Sequence, residues 1–122
     1  MIQIFGTKKC ADTRKAERFF RERGVPIQMI DLAAKAPSPG ELRSIGQAVG
    51  GIWKLLDKDG ARAKEKGLVH ALLGDPEIER KLLEDPLLMR TPVVRNGRAA
   101  TVGTDTPEVK AEWKAWAQNR ST

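Results

Sequence analysis

Met1-Ile2-Gln3-Ile4-Phe5-Gly6-Thr7-Lys8-Lys9-Cys10, running on into Ala11-Asp12-Thr13-Arg14-Lys15-Ala16, is the stretch whose reading decides the fold of this chain. Residues 1–5 are a short apolar run of the kind that makes a buried strand. From Ala11 to Arg23 the apolar spacing turns helical, with Ala16, Phe19 and Phe20 on an inner face and charges elsewhere. Gly24 supplies a helix stop. Pro26 then opens a second strand, Ile27-Gln28-Met29-Ile30. A β-α-β start predicts a parallel pair joined by a right-handed crossover.

Outward from that unit the middle of the chain reads as helical. Ser38-Pro39-Gly40-Glu41 has the form of a capping box with proline at the first helical position. It introduces Leu42, Ile45 and Val49 at helical spacing, and Gly50-Gly51 ends the helix. After Ile52-Trp53-Lys54-Leu55-Leu56, Asp59-Gly60 marks a turn. Asp75-Pro76 starts another helix with Ile78, Leu82 and Leu83 inward, and Asp85-Pro86 breaks it. The end returns to strands. Residues 92–95 and 98–102 flank Asn96-Gly97, a pair that supplies the positive φ angles of a tight hairpin turn. Thr106-Pro107-Glu108 caps a last helix whose Val109, Trp113, Trp116 and Ala117 share a core face, and 119–122 reads as a frayed tail.

The order β-α-β, helical insert, β-β-α gives an α/β fold. One domain over residues 1–122 carries a four-stranded mixed sheet, with a helical insertion at about 37–88. The length suits a single domain with one modest core. No apolar run approaches the ~20 residues that span a bilayer, and no basic-then-apolar leader opens the chain. One unpaired cysteine and no leader point to a reducing cytoplasm. The net charge is +6, but acids interleave the bases, as in Arg14-Lys15-Ala16-Glu17-Arg18. That is the pattern of a solvated helix face and argues against nucleic-acid binding. No His, Cys, Asp and Glu spacing resembles a metal site. His70 reads as a helical surface residue, and Arg95 and Arg98 as solvated charges beside the hairpin turn.

Cys10 is the sole cysteine. A thiol between a strand end and the first turn of a helix faces unpaired backbone N–H groups, which favour the reactive thiolate. Its neighbours Lys8, Lys9, Asp12 and Thr13 are polar, unlike the surroundings of a buried filler cysteine. Arg14, one helical turn on, can bring its guanidinium near the sulfur. Arg90-Thr91-Pro92 is the second element. A proline that opens a strand after a helical break can hold a cis peptide bond and present backbone and flanking groups beside the thiol.

These residues resemble the arsenate reductase/Spx-like family of thioredoxin-fold proteins, in the ordered combination of Cys10-x-x-Thr13-Arg14 with Arg90-Thr91-Pro92 before a strand. The resemblance implies a thioredoxin-like fold and a monothiol oxidoreductase, with Cys10 as the nucleophile attacking an oxyanion or a mixed disulfide. Arg14 and Arg90 map onto anion- or thiolate-stabilising positions, and Thr7, Lys8, Lys9, Thr13 and Pro92 support the loop. No bound cofactor is implied; an external thiol, glutathione with a glutaredoxin, closes the cycle. Spx-like members imply a different reading, a regulator that binds RNA polymerase. Their Cys-x-x-Cys switch has Thr13 at its second position here. A scaffold that has lost the chemistry is a third reading. Family arsenate reductases carry His-Asn-Pro before the cysteine, where this chain has Gly6-Thr7-Lys8-Lys9. They also carry an arginine after the last hairpin, where it has Val102-Gly103-Thr104, and one in the insert, where Lys54 is a poor substitute. Their Arg-Pro is Arg90-Thr91-Pro92 here. The Gly-x-Lys-x-Cys loop is closer to the uncharacterised, glutathione-associated branch of the family.

Overall fold

The computed structural model describes residues 1–118; the expected frayed tail at 119–122 lies outside the described residues. Strand β1 (Ile2–Gly6) leads through helix α1 (Ala11–Glu22) to β2 (Ile27–Asp31). Helices α2 (Pro39–Val49), α3 (Ala61–Glu65) and α4 (Asp75–Glu84) follow, with 3-10 turns at Ile52–Leu55 and Pro86–Leu88. The chain closes with β3 (Val93–Asn96), β4 (Ala99–Val102) and α5 (Pro107–Gln118). The sheet order is β2-β1-β3-β4, with β1 parallel to β2 and antiparallel to β3, and β3 antiparallel to β4. This is the α/β mixed sheet that the sequence predicts for a thioredoxin-like chain.

Alternation along the central strand divides the core in two. Ile2 and Ile4 face α1 and α5, where they pack with Ala16, Phe20, Val94 and Trp113. Phe5 faces the insert, among Leu42, Ile45, Leu55, Leu82, Met89 and Val93. The register pairs like with like, Ile4 opposite Val94 and Phe5 opposite Val93. A one-residue slip would exchange the two sets between faces, so burial of both faces fixes the pairing. Trp113 is buried and its indole N–H donates to Thr101 Oγ1 at 2.9 Å. Phe19 and Phe20 stack against it with ring centroids 5.5 and 5.6 Å away.

The capping box forms in full: the Glu41 N–H donates to Ser38 Oγ at 3.1 Å, and the Ser38 N–H to Glu41 Oε1 at 2.9 Å. Several expectations are corrected. The hairpin loop is Gly97-Arg98, one residue beyond the expected Asn-Gly pair, because Asn96 pairs with Ala99 in the ladder. Of these two loop residues only Gly97 has positive φ, at 62°, which is what a turn with glycine in its first central position needs. Arg95 is not solvated: it is half-buried, its Nη2 donates to Ser44 Oγ at 3.4 Å and its Nη1 lies 3.8 Å from Glu41. His70 is exposed but sits in a turn rather than a helix, because α3 ends at Glu65. That one-turn helix follows the expected Asp59-Gly60 turn and has no counterpart in the sequence reading.

Candidate functional site

Cys10 is the N-cap of α1, with extended φ and ψ of −82° and 116°. The cap position aims the side chain at the N–H groups that the first helical turn leaves unpaired. The loop behind it is tied by the Cys10 N–H on the Thr7 carbonyl at 3.2 Å. Arg14 closes it further, its Nη1 donating to the Lys8 carbonyl at 2.7 Å. The guanidinium expected beside the sulfur thus braces the loop.

Across from the thiol lies the segment that enters β3. The 3-10 turn of the insert is strapped to it: the Arg90 N–H donates to the Leu55 carbonyl at 2.7 Å, and the Asp57 N–H to the Leu88 carbonyl at 2.9 Å. The Thr91–Pro92 peptide is cis, and Pro92 is buried. Thr91, fixed between these anchors, donates from Oγ1 to Cys10 Sγ at 3.0 Å. Arg90 turns away, its Nε 3.4 Å from the Leu56 carbonyl. Lys8 and Lys9 are exposed.

A third contact comes from inside α1. Thr13 is only 2% exposed, and its Oγ1 has no conventional partner. Its hydroxyl lies close enough to the thiol to help lower its pKa, without forming a full hydrogen bond to the sulfur. Partial burial pushes the Cys10 thiol up, but the Thr13 and Thr91 hydroxyls and the backbone N–H groups of Thr13 and Asp12 together hold it below the ordinary cysteine value. Hydrogen bonds to the anion, with no cation among the donors, thus favour the thiolate. Thr13 also explains Gly6. A Cβ on Gly6 would collide with Oγ1, Cγ2 and Cβ of Thr13, the last at 2.9 Å.

Around Cys10 the structure thus sets the Thr7 carbonyl on its N–H and Thr91, joined by a cis bond to Pro92, on its sulfur, while Arg14 and Arg90 hold backbone carbonyls. Sequence reasoning passed over Thr91 as a functional group. Its signal was visible, a hydroxyl residue directly before Pro92. Among the described residues no cluster of His, Cys, Asp and Glu could hold a metal ion, and no helix is long and apolar enough to cross a membrane. The constellation is suited to nucleophilic attack by sulfur, with return of the thiolate as a leaving group.

A model of the ArsC family matches residues 5–111. The uncharacterized protein YusI of Bacillus subtilis is 28% identical over 115 residues, which cover 92% of this chain and 98% of that protein. An arsenate reductase of Neisseria meningitidis is 28% identical over 116 residues, 90% of this chain and 96% of that one. The solution structure of SACOL0876 from Staphylococcus aureus COL superposes with a TM-score of 0.77 at 30% identity, over 92% of this chain and 97% of that chain.

Proposed function

The chain belongs to the ArsC family, and we propose that it is a thiol-based reductase in which Cys10 is the nucleophile and an external thiol of the glutathione class closes the cycle. The observation that carries this reading is the setting of Sγ: at the N-cap of α1, 3.0 Å from the Thr91 hydroxyl, with its pKa lowered. A thiolate in that setting attacks an electrophilic centre, either the sulfur of a mixed disulfide or the arsenic of arsenate, the substrate named for the Neisseria relative. It forms a covalent adduct as the leaving group takes the electron pair. With one cysteine in the chain, the second thiol must come from another molecule. Over a full turnover two thiols are oxidised to one disulfide, and the substrate gains two electrons.

The protein's part is to keep Sγ ionised and fixed. The Thr91 hydroxyl donates to it at 3.0 Å, the Thr13 hydroxyl and the first-turn N–H groups of α1 help lower its pKa, and the Arg14 brace holds the loop. The test is a reductase assay with glutathione, glutathione reductase and NADPH, with and without a glutaredoxin, on the parent and on Cys10→Ser. The expected result is turnover that Cys10→Ser abolishes. Full activity in Cys10→Ser would contradict the proposal.

A further inference from the structure

The sulfur of Cys10 is surrounded by neutral donors. Thr91 Oγ1 donates to it at 3.0 Å, and the buried Thr13 hydroxyl, which makes no full hydrogen bond, adds a neutral contribution that lowers the thiol pKa. Both guanidiniums that could have served it are turned to carbonyls, Arg14 to Lys8 at 2.7 Å and Arg90 to Leu56 at 3.4 Å. Thr91 stands directly before Pro92 and donates to the thiol, while Arg90 is one residue further from Pro92. A multiply charged oxyanion approaching a thiolate meets Coulomb repulsion that the partly buried site screens less than water does. Hydroxyls supply no net charge to offset it, and the guanidiniums of Arg14 and Arg90, still charged, have their donors on carbonyls instead of beside the sulfur. A disulfide sulfur carries no charge and meets no such barrier.

Beside the thiol loop runs a groove of about 400 Å³ whose lining includes Thr7, Lys8, Arg14, Glu17, Met29 and Asp31. It offers the Lys8 ammonium, the Asp31 carboxylate and the apolar surface of Met29, the complement of a small peptide that bears both carboxylates and an ammonium, while Glu17 is paired with Arg21 at 2.8 Å. Asp31 engages its Oδ1 with the Ala33 N–H at 2.9 Å.

We infer that Thr91 is the specificity-determining residue of the Cys10 site, holding the thiolate with a neutral donor and so directing it to the disulfide of a small zwitterionic peptide thiol rather than to a multiply charged oxyanion. The inference rests on the thiol-reductase reading above and narrows its substrate. Sγ attacks one sulfur of the disulfide; the Sγ–S bond forms as the S–S bond breaks, and the departing sulfur keeps the electron pair and takes a proton from water. A second peptide thiolate then attacks the sulfur bound to Sγ, forms the product disulfide and returns the pair to Sγ. The Thr91 hydroxyl bonds the anion best, so it assists Sγ as the leaving group in that second step.

The test compares the parent with Thr91→Val, Thr91→Ser and Thr91→Arg, using the mixed disulfide of glutathione and 2-mercaptoethanol, and sodium arsenate. The parent is expected to reduce the disulfide, and millimolar arsenate to leave alkylation of Cys10 unprotected. Thr91→Val should slow disulfide turnover at neutral pH by about tenfold, the lower end of what one lost hydrogen bond to an anion costs, and move the rate profile to higher pH. Thr91→Ser should restore both. Thr91→Arg should make arsenate protect Cys10. Protection of the parent by arsenate, an unmoved profile in folded Thr91→Val, or a Thr91→Arg still indifferent to arsenate overturns the inference while leaving a thiol reductase standing. A parent that reduces neither substrate, or an active Cys10→Ser, removes the reductase reading itself.

Discussion

Replacing Gly6 by alanine tests whether β1 and the first turn of α1 are fitted to each other around the thiol. The added methyl would meet Thr13 Oγ1, Cγ2 and Cβ, the last at 2.9 Å. These belong to a side chain that is 2% exposed, so Thr13 cannot rotate into solvent, and the strand or the helix must shift instead. Overpacking of one methyl in a closed site costs about 1–3 kcal/mol. A loss of about 2 kcal/mol in a domain of this size lowers Tm by roughly 6–10 °C. The shift should also carry the Thr13 hydroxyl and the helix N-terminus away from Sγ and slow alkylation of Cys10 at neutral pH. Chemical denaturation of Gly6→Ala, Thr13→Ala and the double variant measures the coupling. Thr13→Ala removes the two atoms that meet the methyl first, so the double variant should recover about 1–2 kcal/mol of the expected additive loss. Gly6→Ala as stable as the parent, or a strictly additive double variant, would refute the reasoning.

Two further outcomes follow from the core and the insert. Thr101→Val leaves the buried Trp113 N–H without its 2.9 Å acceptor, and denaturation should show a loss of about 1–3 kcal/mol, most of it restored by Thr101→Ser. Asp85 is buried in the insert, where burial pushes its carboxyl up but Arg62 at 2.7 Å and Lys66 at 3.1 Å outweigh it and hold it below the usual carboxylate range. A depressed pKa means that the stabilisation is complete above the unfolded value and is lost as the pH falls through the folded one. Thermal melts of Asp85→Asn should therefore lie below the parent at pH 7, begin to approach it below about pH 4, where the free carboxyl protonates, and meet it only once the pH has fallen through the lower folded value.

What the sequence made legible was what neighbouring residues decide. The β1–Cys10–α1 junction, the Ser38–Glu41 cap and the hairpin follow from local preferences, each with residues three to five apart carrying the signal. What escaped was set by contacts distant in the chain. Thr91 reaches Cys10 across 81 positions, so its place directly before Pro92 is the one local signal and the sulfur it meets is not in reach of local spacing. Arg14 lies one turn from the thiol, as its spacing suggested, but the exposed Lys8 carbonyl competes for its guanidinium and holds it at 2.7 Å. Spacing can say which groups are in reach, not which acceptor holds them. Arg95 looked solvated beside a turn, yet α2 folds over β4 and supplies Ser44 and Glu41. Gly6 read as a loop residue; its lack of a side chain is explained only by Thr13, on the next element.

Cys10 reacts as a thiolate held by hydroxyl and backbone donors. The measurement is the second-order rate of Cys10 alkylation by iodoacetamide as a function of pH, on the folded parent and on the chain in denaturant. The account predicts a titration midpoint in the folded protein below that of the unfolded chain and below the ordinary thiol value of roughly 8.5. A folded midpoint at or above the unfolded one would contradict it.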